Sequence, residues 1–434
     1  MNFAELSQKK IFKFWYPLAL TWLMMAFEGP FLAAIIARLP EAKFNLAAYG
    51  VAYSFALLSE APVIMMMAAS TSLVKNSQSY FKLRNFNNLL IIFVTVILAI
   101  GLIPQIFNFI TGTLINLPVN VGELTRYSLL FLIPWPGAIA YRRFLQGILI
   151  ANNKTKLVSY GTIIRLLVMA GAAYGLFKFV TISGAYIGAI SLSAGVVAEM
   201  IASHLMCRSI LKKLKSQSFD KTSNDNLSYK KIFNFYFPLA LATFIGLGAH
   251  PLITFLVGHS KMSLESLAVL PVINSLVFIF RSIGLSYQEV GIALIGEDKK
   301  GYRPLKKFAT KLAFFNILVL GVIAFTSLAD IWFISVSGLS KLLAEIAILP
   351  TQILIVIPAL SVLISFQRAI QVAYKNTAPI SKATAAEVVV IVMALFTLIS
   401  LFDMIGVTAA AIALVLGRIT SNSYLFFENK KHTN

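Results

Sequence analysis

Eleven ionisable side chains stand inside long apolar runs of this 434-residue chain: Glu28, Glu60, Glu199, Glu289 and Glu387, with Arg142, Arg143, Arg165, Arg281, Arg368 and Arg418. A charge at the centre of a bilayer costs roughly 2.5–3.5 kcal/mol on insertion scales, so such residues pair with one another or line a polar path. The chemistry open to them is binding and release. A guanidinium holds a carboxylate or phosphate through two parallel hydrogen bonds. A glutamate inside a membrane carries a proton or holds a cation. Covalent catalysis finds no motif: G-x-S-x-G, H-E-x-x-H and the Walker A sequence are all missing. No enzyme activity is expected, and ATP has no site from which to drive a reaction.

Glu60 and Arg281 are related by an internal repeat. The segment Lys9–Leu20 (KKIFKFWYPLAL) returns as Lys230–Leu241 (KKIFNFYFPLAL), nine of twelve positions being identical at an offset of 221. The same offset carries Glu60 onto Arg281, Pro30 onto Pro251, and Leu46-Ala47 onto Leu267-Ala268. At an offset of 225, Arg143 and Gln146 fall on Arg368 and Gln371. At 222, Gly184–Gly195 falls on Gly406–Gly417 with five identities. Charge is thus reversed at one repeat position, which makes Arg281 a substrate-binding candidate and Glu60 its partner or a proton carrier. Glu28 lies two residues before Pro30 and is a second candidate for ion coupling. Arg143, Arg368, Gln146, Gln371 and His250 complete the candidate binding set. Pro30 and Pro251 each remove a backbone hydrogen bond inside a helix and form a candidate pair of gating hinges.

The elements that position these residues are helices in a membrane. Hydrophobic residues make up 58% of the chain and charged ones 12%, with a mean hydropathy of +0.82. About a quarter of a soluble domain is charged, so this chain lacks the residues to cover a water-facing surface. Its apolar runs are continuous and long, which predicts helices rather than barrel strands. Twelve spans are read near 13–38, 46–72, 88–112, 123–150, 157–178, 183–207, 234–258, 264–294, 308–332, 344–374, 380–402 and 405–427. The first run lacks a clear cleavage site and is expected to stay as a span. A single cysteine, Cys207, leaves no intrachain disulfide and no cysteine metal cluster. Neither metal nor other cofactor is expected.

Lysine and arginine orient the spans. Twenty-five of them fall on the termini and even-numbered connections, against six on the odd-numbered ones. Both termini are therefore expected in the cytoplasm, in a multi-pass protein of the plasma (inner) membrane. The net charge of +20 is largely this topological bias and does not indicate nucleic acid. Residues 1–207 are expected to form one six-helix lobe and 232–434 the other, joined by a solvated, mobile basic linker over 208–231. Both halves start on the same side, so the repeat is parallel and its pseudo-twofold axis follows the membrane normal. A monomer is expected, with two lobes flanking a cavity and rocking between inward-open and outward-open states.

Twelve spans, two parallel six-helix repeats, a basic linker and the stretch Gly406–Ala413 (GVTAAAIA) resemble the multidrug/oligosaccharidyl-lipid/polysaccharide exporter superfamily. Within it, Leu46–Ser54 (LAAYGVAYS) and Phe235–Leu241 (FYFPLAL), followed by Pro251, look like the progressive ankylosis family. The resemblance implies export of a small polyanion such as citrate or pyrophosphate, for which Arg281, Arg143 and Arg368 are suited, with a proton or sodium ion as a possible coupling partner. His250 stands where that family carries arginine, which sets this chain apart at the anion site. Two other readings stay open: cation-coupled efflux of drugs, as in MATE-type transporters, and flipping of a lipid-linked saccharide.

Overall fold

The computed structural model describes residues 6–114, 118–216, 227–296 and 300–433. They are helical and contain no strand; only an isolated bridge pairs Lys261 with Ile405. The helices are α1 (Gln8–Ala26), α2 (Glu28–Ile36), α3 (Ala42–Glu60), α4 (Met66–Leu73), α5 (Ser77–Gly101), α6 (Pro104–Asn108), α7 (Val119–Leu132), α8 (Pro134–Ala151), α9 (Thr155–Phe179) and α10 (Gly184–Ser216). The second half continues with α11 (Tyr229–Val257), α12 (Ser263–Leu285), α13 (Tyr287–Leu294), α14 (Tyr302–Ala324), α15 (Leu328–Asp330), α16 (Lys341–Leu354), α17 (Val356–Ala373), α18 (Ala378–Ser400) and α19 (Gly406–Thr433). Short π-helical turns follow α6 and α15.

Among the described residues, ten helical runs are long and apolar enough to cross a membrane. The runs 42–73 and 119–151 supply the other two of the expected twelve. Each is broken. The chain turns at Ala61–Met65, around Pro62, between α3 and α4, and Ile133 separates α7 from α8 ahead of Pro134 and Pro136. A ring in place of an N–H cannot continue the hydrogen-bond ladder, so prolines set these breaks. Several helices outrun their apolar stretches. α5 begins eleven residues before the expected span, held by a capping box in which Asn76 and Ser79 exchange hydrogen bonds. α10 runs on through Arg208, Lys212, Lys213 and Lys215, with Leu211 and Leu214 buried on its inner face. The first part of the expected linker is therefore helix, because amphipathic spacing, not polarity, decides that stretch. Residues 217–226 of that linker lie outside the described residues.

The chain divides into two compact units, Met24–Tyr236, and Met1–Leu23 with Phe237–Asn434. The lobes expected from the sequence were 1–207 and 232–434, so the opening segments differ in membership. Both unit boundaries fall inside helices, α1 and α11, within or next to the two copies of the repeated segment. The first copy lies in the unit that holds most of the second half, and residues 230–236 of the second copy lie in the unit that holds most of the first. In one unit Trp15 donates through Nε1 to Ser286 Oγ at 2.9 Å and meets Phe308 edge-on at 5.6 Å. In the other, Tyr236 donates to the Pro62 carbonyl at 2.5 Å and meets Phe86 edge-on at 5.3 Å. Trp15 and Tyr236 are repeat mates at 221, and Phe86 and Phe308 at 222. Ser286 lies between α12 and α13, as Pro62 lies between α3 and α4. The exchange is reciprocal, and each aromatic side chain tethers a broken helix.

Within the unit Met24–Tyr236, α10 packs on α9, α8 and α7, with α3 against α7 and α4 against α8. Its core includes Leu32, Ile36, Ala52, Leu132, Trp135, Ile139 and Val196. α4 and α8 cross so closely at Gly147 that a Cβ there would collide with Ser70 and the Met67 carbonyl. In the second unit α17 is central, contacting α12, α13, α14 and α19, while α18 pairs with α19. Its core includes Val257, Ile273, Leu320, Phe333, Ala347 and Ala411.

Candidate functional site

In the unit Met24–Tyr236, five helices bring charges together. Glu28 opens α2, one residue after Phe27 breaks the first span. The break answers Pro30, which cannot donate to the Ala26 carbonyl. Phe27, Glu28 and Pro30 thus localise a bend, whereas α11 runs unbroken over Tyr229–Val257. Glu28 pairs with Arg165 of α9. Arg165 also approaches Glu199 of α10 at 3.7 Å. Glu199 pairs with Arg142 of α8 and accepts from Gln146 Nε2 and Thr162 Oγ1, both at 3.0 Å. Arg142, Arg165 and Glu199 are at most 3% exposed. Arg143 faces Glu60, at the end of α3, at 3.9 Å. The motif Arg143-x-x-Gln146 therefore divides: its two side chains serve different carboxylates. Three glutamates and three arginines balance in this cluster.

The second unit reverses the arrangement. Glu387 on α18 is the repeat mate of Arg165 at an offset of 222, as Thr384 is of Thr162. Arg418 of α19 pairs with Glu387 at 2.9 Å through Nε. Arg368 of α17 donates to Thr384 Oγ1 at 2.9 Å. Arg281 of α12 lies close enough to Arg418, Arg368 and Glu387 to feel their charges. It forms no hydrogen bond or ion pair with a described residue, and its Nε is buried without an acceptor. His250 is exposed on α11, within electrostatic range of Arg281. Gln371 donates to Asn429 Oδ1 at 2.7 Å. In one unit a central arginine is ringed by glutamates. In the other, three arginines surround one glutamate, leaving two positive charges in excess among those four side chains.

Most of the candidates named from sequence thus fall into two clusters, Glu28, Glu60, Arg143 and Gln146 in one and Arg281 and Arg368 in the other, with His250 exposed within electrostatic range of Arg281. In the sequence Arg142, Glu199, Glu387 and Arg418 stood out only as charges within apolar runs, without an assigned role, and Thr162 and Thr384 did not stand out at all. The offset of 222 is the signal that could have singled out Glu387 and the two threonines, since it aligns Arg165 with Glu387 as it aligns Thr162 with Thr384. No group of three or more His, Cys, Asp or Glu among the described residues could hold a metal ion.

No protein-family model matches the chain. No curated protein matches it either. Solved structures do. The eukaryotic MATE transporter AtDTX14 superposes with a TM-score of 0.75 at 14% identity, covering 97% of this chain and 95% of that one. The Vibrio cholerae MATE transporter VcmN, solved as a mutant, gives 0.77 at 13% identity, over 100% of this chain and 98% of that one. A MOP superfamily transporter from Pyrococcus furiosus, whose binding pocket has reversed polarity suggesting a different function, gives 0.75 at 12% identity, over 99% and 97%. This polytopic all-helical chain therefore has the fold of the MATE transporters of the MOP superfamily.

Proposed function

We propose that the chain is a secondary transporter of a small organic or phosphate-bearing anion, with Arg281 and Arg368 as its principal anion-binding groups. The observation that carries this reading is the guanidinium excess around Glu387. Arg418 has a carboxylate partner and Arg368 a threonine, while Arg281 pairs with none of the described residues. A charge in an apolar setting calls for a counter-charge. A carboxylate or phosphate that bridged Arg281 and Arg368 would supply it through bidentate contacts. The Pyrococcus furiosus structure is a precedent for a change in site polarity on this fold. Citrate and pyrophosphate are the first substrates to test.

The competing reading is efflux of cationic drugs, which the name of one fold neighbour, a multidrug resistance MATE transporter, supports. A cation needs a carboxylate, and Glu28, Glu199 and Glu60 already face Arg165, Arg142 and Arg143. If Glu28 or Glu60 couples transport, a proton must compete with a guanidinium for it. Proteoliposome flux of labelled citrate, pyrophosphate and a cationic dye separates the readings. Anion flux in the parent that falls at least about tenfold in Arg281→Gln, the loss of one charged hydrogen-bonding contact, is the expected result. Dye flux without anion flux would overturn the proposal.

A further inference from the structure

We propose that the outward face of the first turns of α14 binds an anionic phospholipid, its headgroup phosphate on Arg303, Lys306, Lys307 and Lys311 and its acyl chain along Phe314 and Leu318. These six side chains are all exposed and recur at helical spacing on one face of α14, while Leu305, Phe308, Ala309 and Leu312 are buried on the other. With Thr310, five of the six frame an open groove of about 580 Å³. None of the four cations forms an ion pair with a described residue. The stripe passes directly from four positive charges to Phe314, 67% exposed, and Leu318, 52% exposed. That order, phosphate level and then hydrocarbon level, is the order of a phospholipid.

The positive-inside bias alone does not account for this face. At an offset of 222 the same positions on α5 carry Phe81, Arg84, Asn85 and Leu89. One charge stands there in place of four, and Arg84 lies over the Phe81 ring at 4.9 Å. The two helices occupy equivalent places in the repeat, so a topological requirement would act on both. The second copy has instead concentrated cations on its outer face, where they meet lipid.

The test uses the full chain in nanodiscs of phosphatidylcholine with and without phosphatidylglycerol, counting retained phosphatidylglycerol by native mass spectrometry. Each Lys or Arg near the surface is worth about fivefold in affinity for an anionic membrane. The variant R303Q/K306Q/K307Q/K311Q should lose retained phosphatidylglycerol, while K212Q/K213Q/K215Q, which removes exposed charges from the end of α10, should keep it. Should the fourfold variant not fold, K306Q/K307Q together with a salt series on the parent gives the same reading, since retention must weaken with both. Equal retention in parent and variant overturns the proposal, as does equal loss in the α10 control. So does stabilisation of the detergent-solubilised protein by inorganic phosphate alone, which would assign the cations to free phosphate.

Discussion

Glu199 is fully buried and Arg281 half-buried, and their environments predict opposite responses to mutation. Glu199 is held by Arg142, Arg165, Gln146 and Thr162. Removing one member of a buried ion pair leaves the other uncompensated, at about 3–5 kcal/mol. Arg142→Met should therefore lower the unfolding free energy by roughly that amount, and the added change Glu199→Gln should restore much of it. Chemical denaturation in a mild detergent would measure both. Among the described residues, Arg281 pairs with no carboxylate. Its neutralisation to Gln should leave thermal stability unchanged or raise it, while anion flux falls. If the melting temperature drops as far as in Arg142→Met, Arg281 is a structural residue and not a binding one.

The repeated segments act as paired tethers, and each element contributes one measurable bond. Tyr236→Phe keeps the ring against Phe86 but loses the donor to the Pro62 carbonyl, which should cost about 1 kcal/mol. Trp15→Phe should lose a similar amount at Ser286. Gly147→Leu is expected to be far worse, because Ser70 and the Met67 backbone occupy the space any Cβ would need. Thermal unfolding of the three variants checks the order. The helices were readable in outline because long apolar runs are a local signal. Their ends were not. α5 and α10 continue into Lys- and Arg-bearing turns, where capping and inner-face leucines outweigh polarity.

At the scale of the molecule, each half donates its opening segment to the unit built mainly from the other. Residues 1–220 and 221–434, expressed as separate fragments in one cell, should therefore copurify. Trp15→Ala with Tyr236→Ala should weaken that association, and fragments that fail to associate would contradict the exchange. Sequence alone determined the helical membrane class, the duplication and its offsets, and the reversal of charge at Glu60 and Arg281. These follow from hydropathy and from comparing the chain with itself, and both are written along one dimension. Only the tertiary structure decided that Arg165 meets Glu28, that Gln146 and Arg143 part company, and that Arg281 forms no ion pair with a described residue. Which side chains meet depends on the rotation and height of helices far apart in the chain, and a turn of 100° per residue makes that sensitive to single positions.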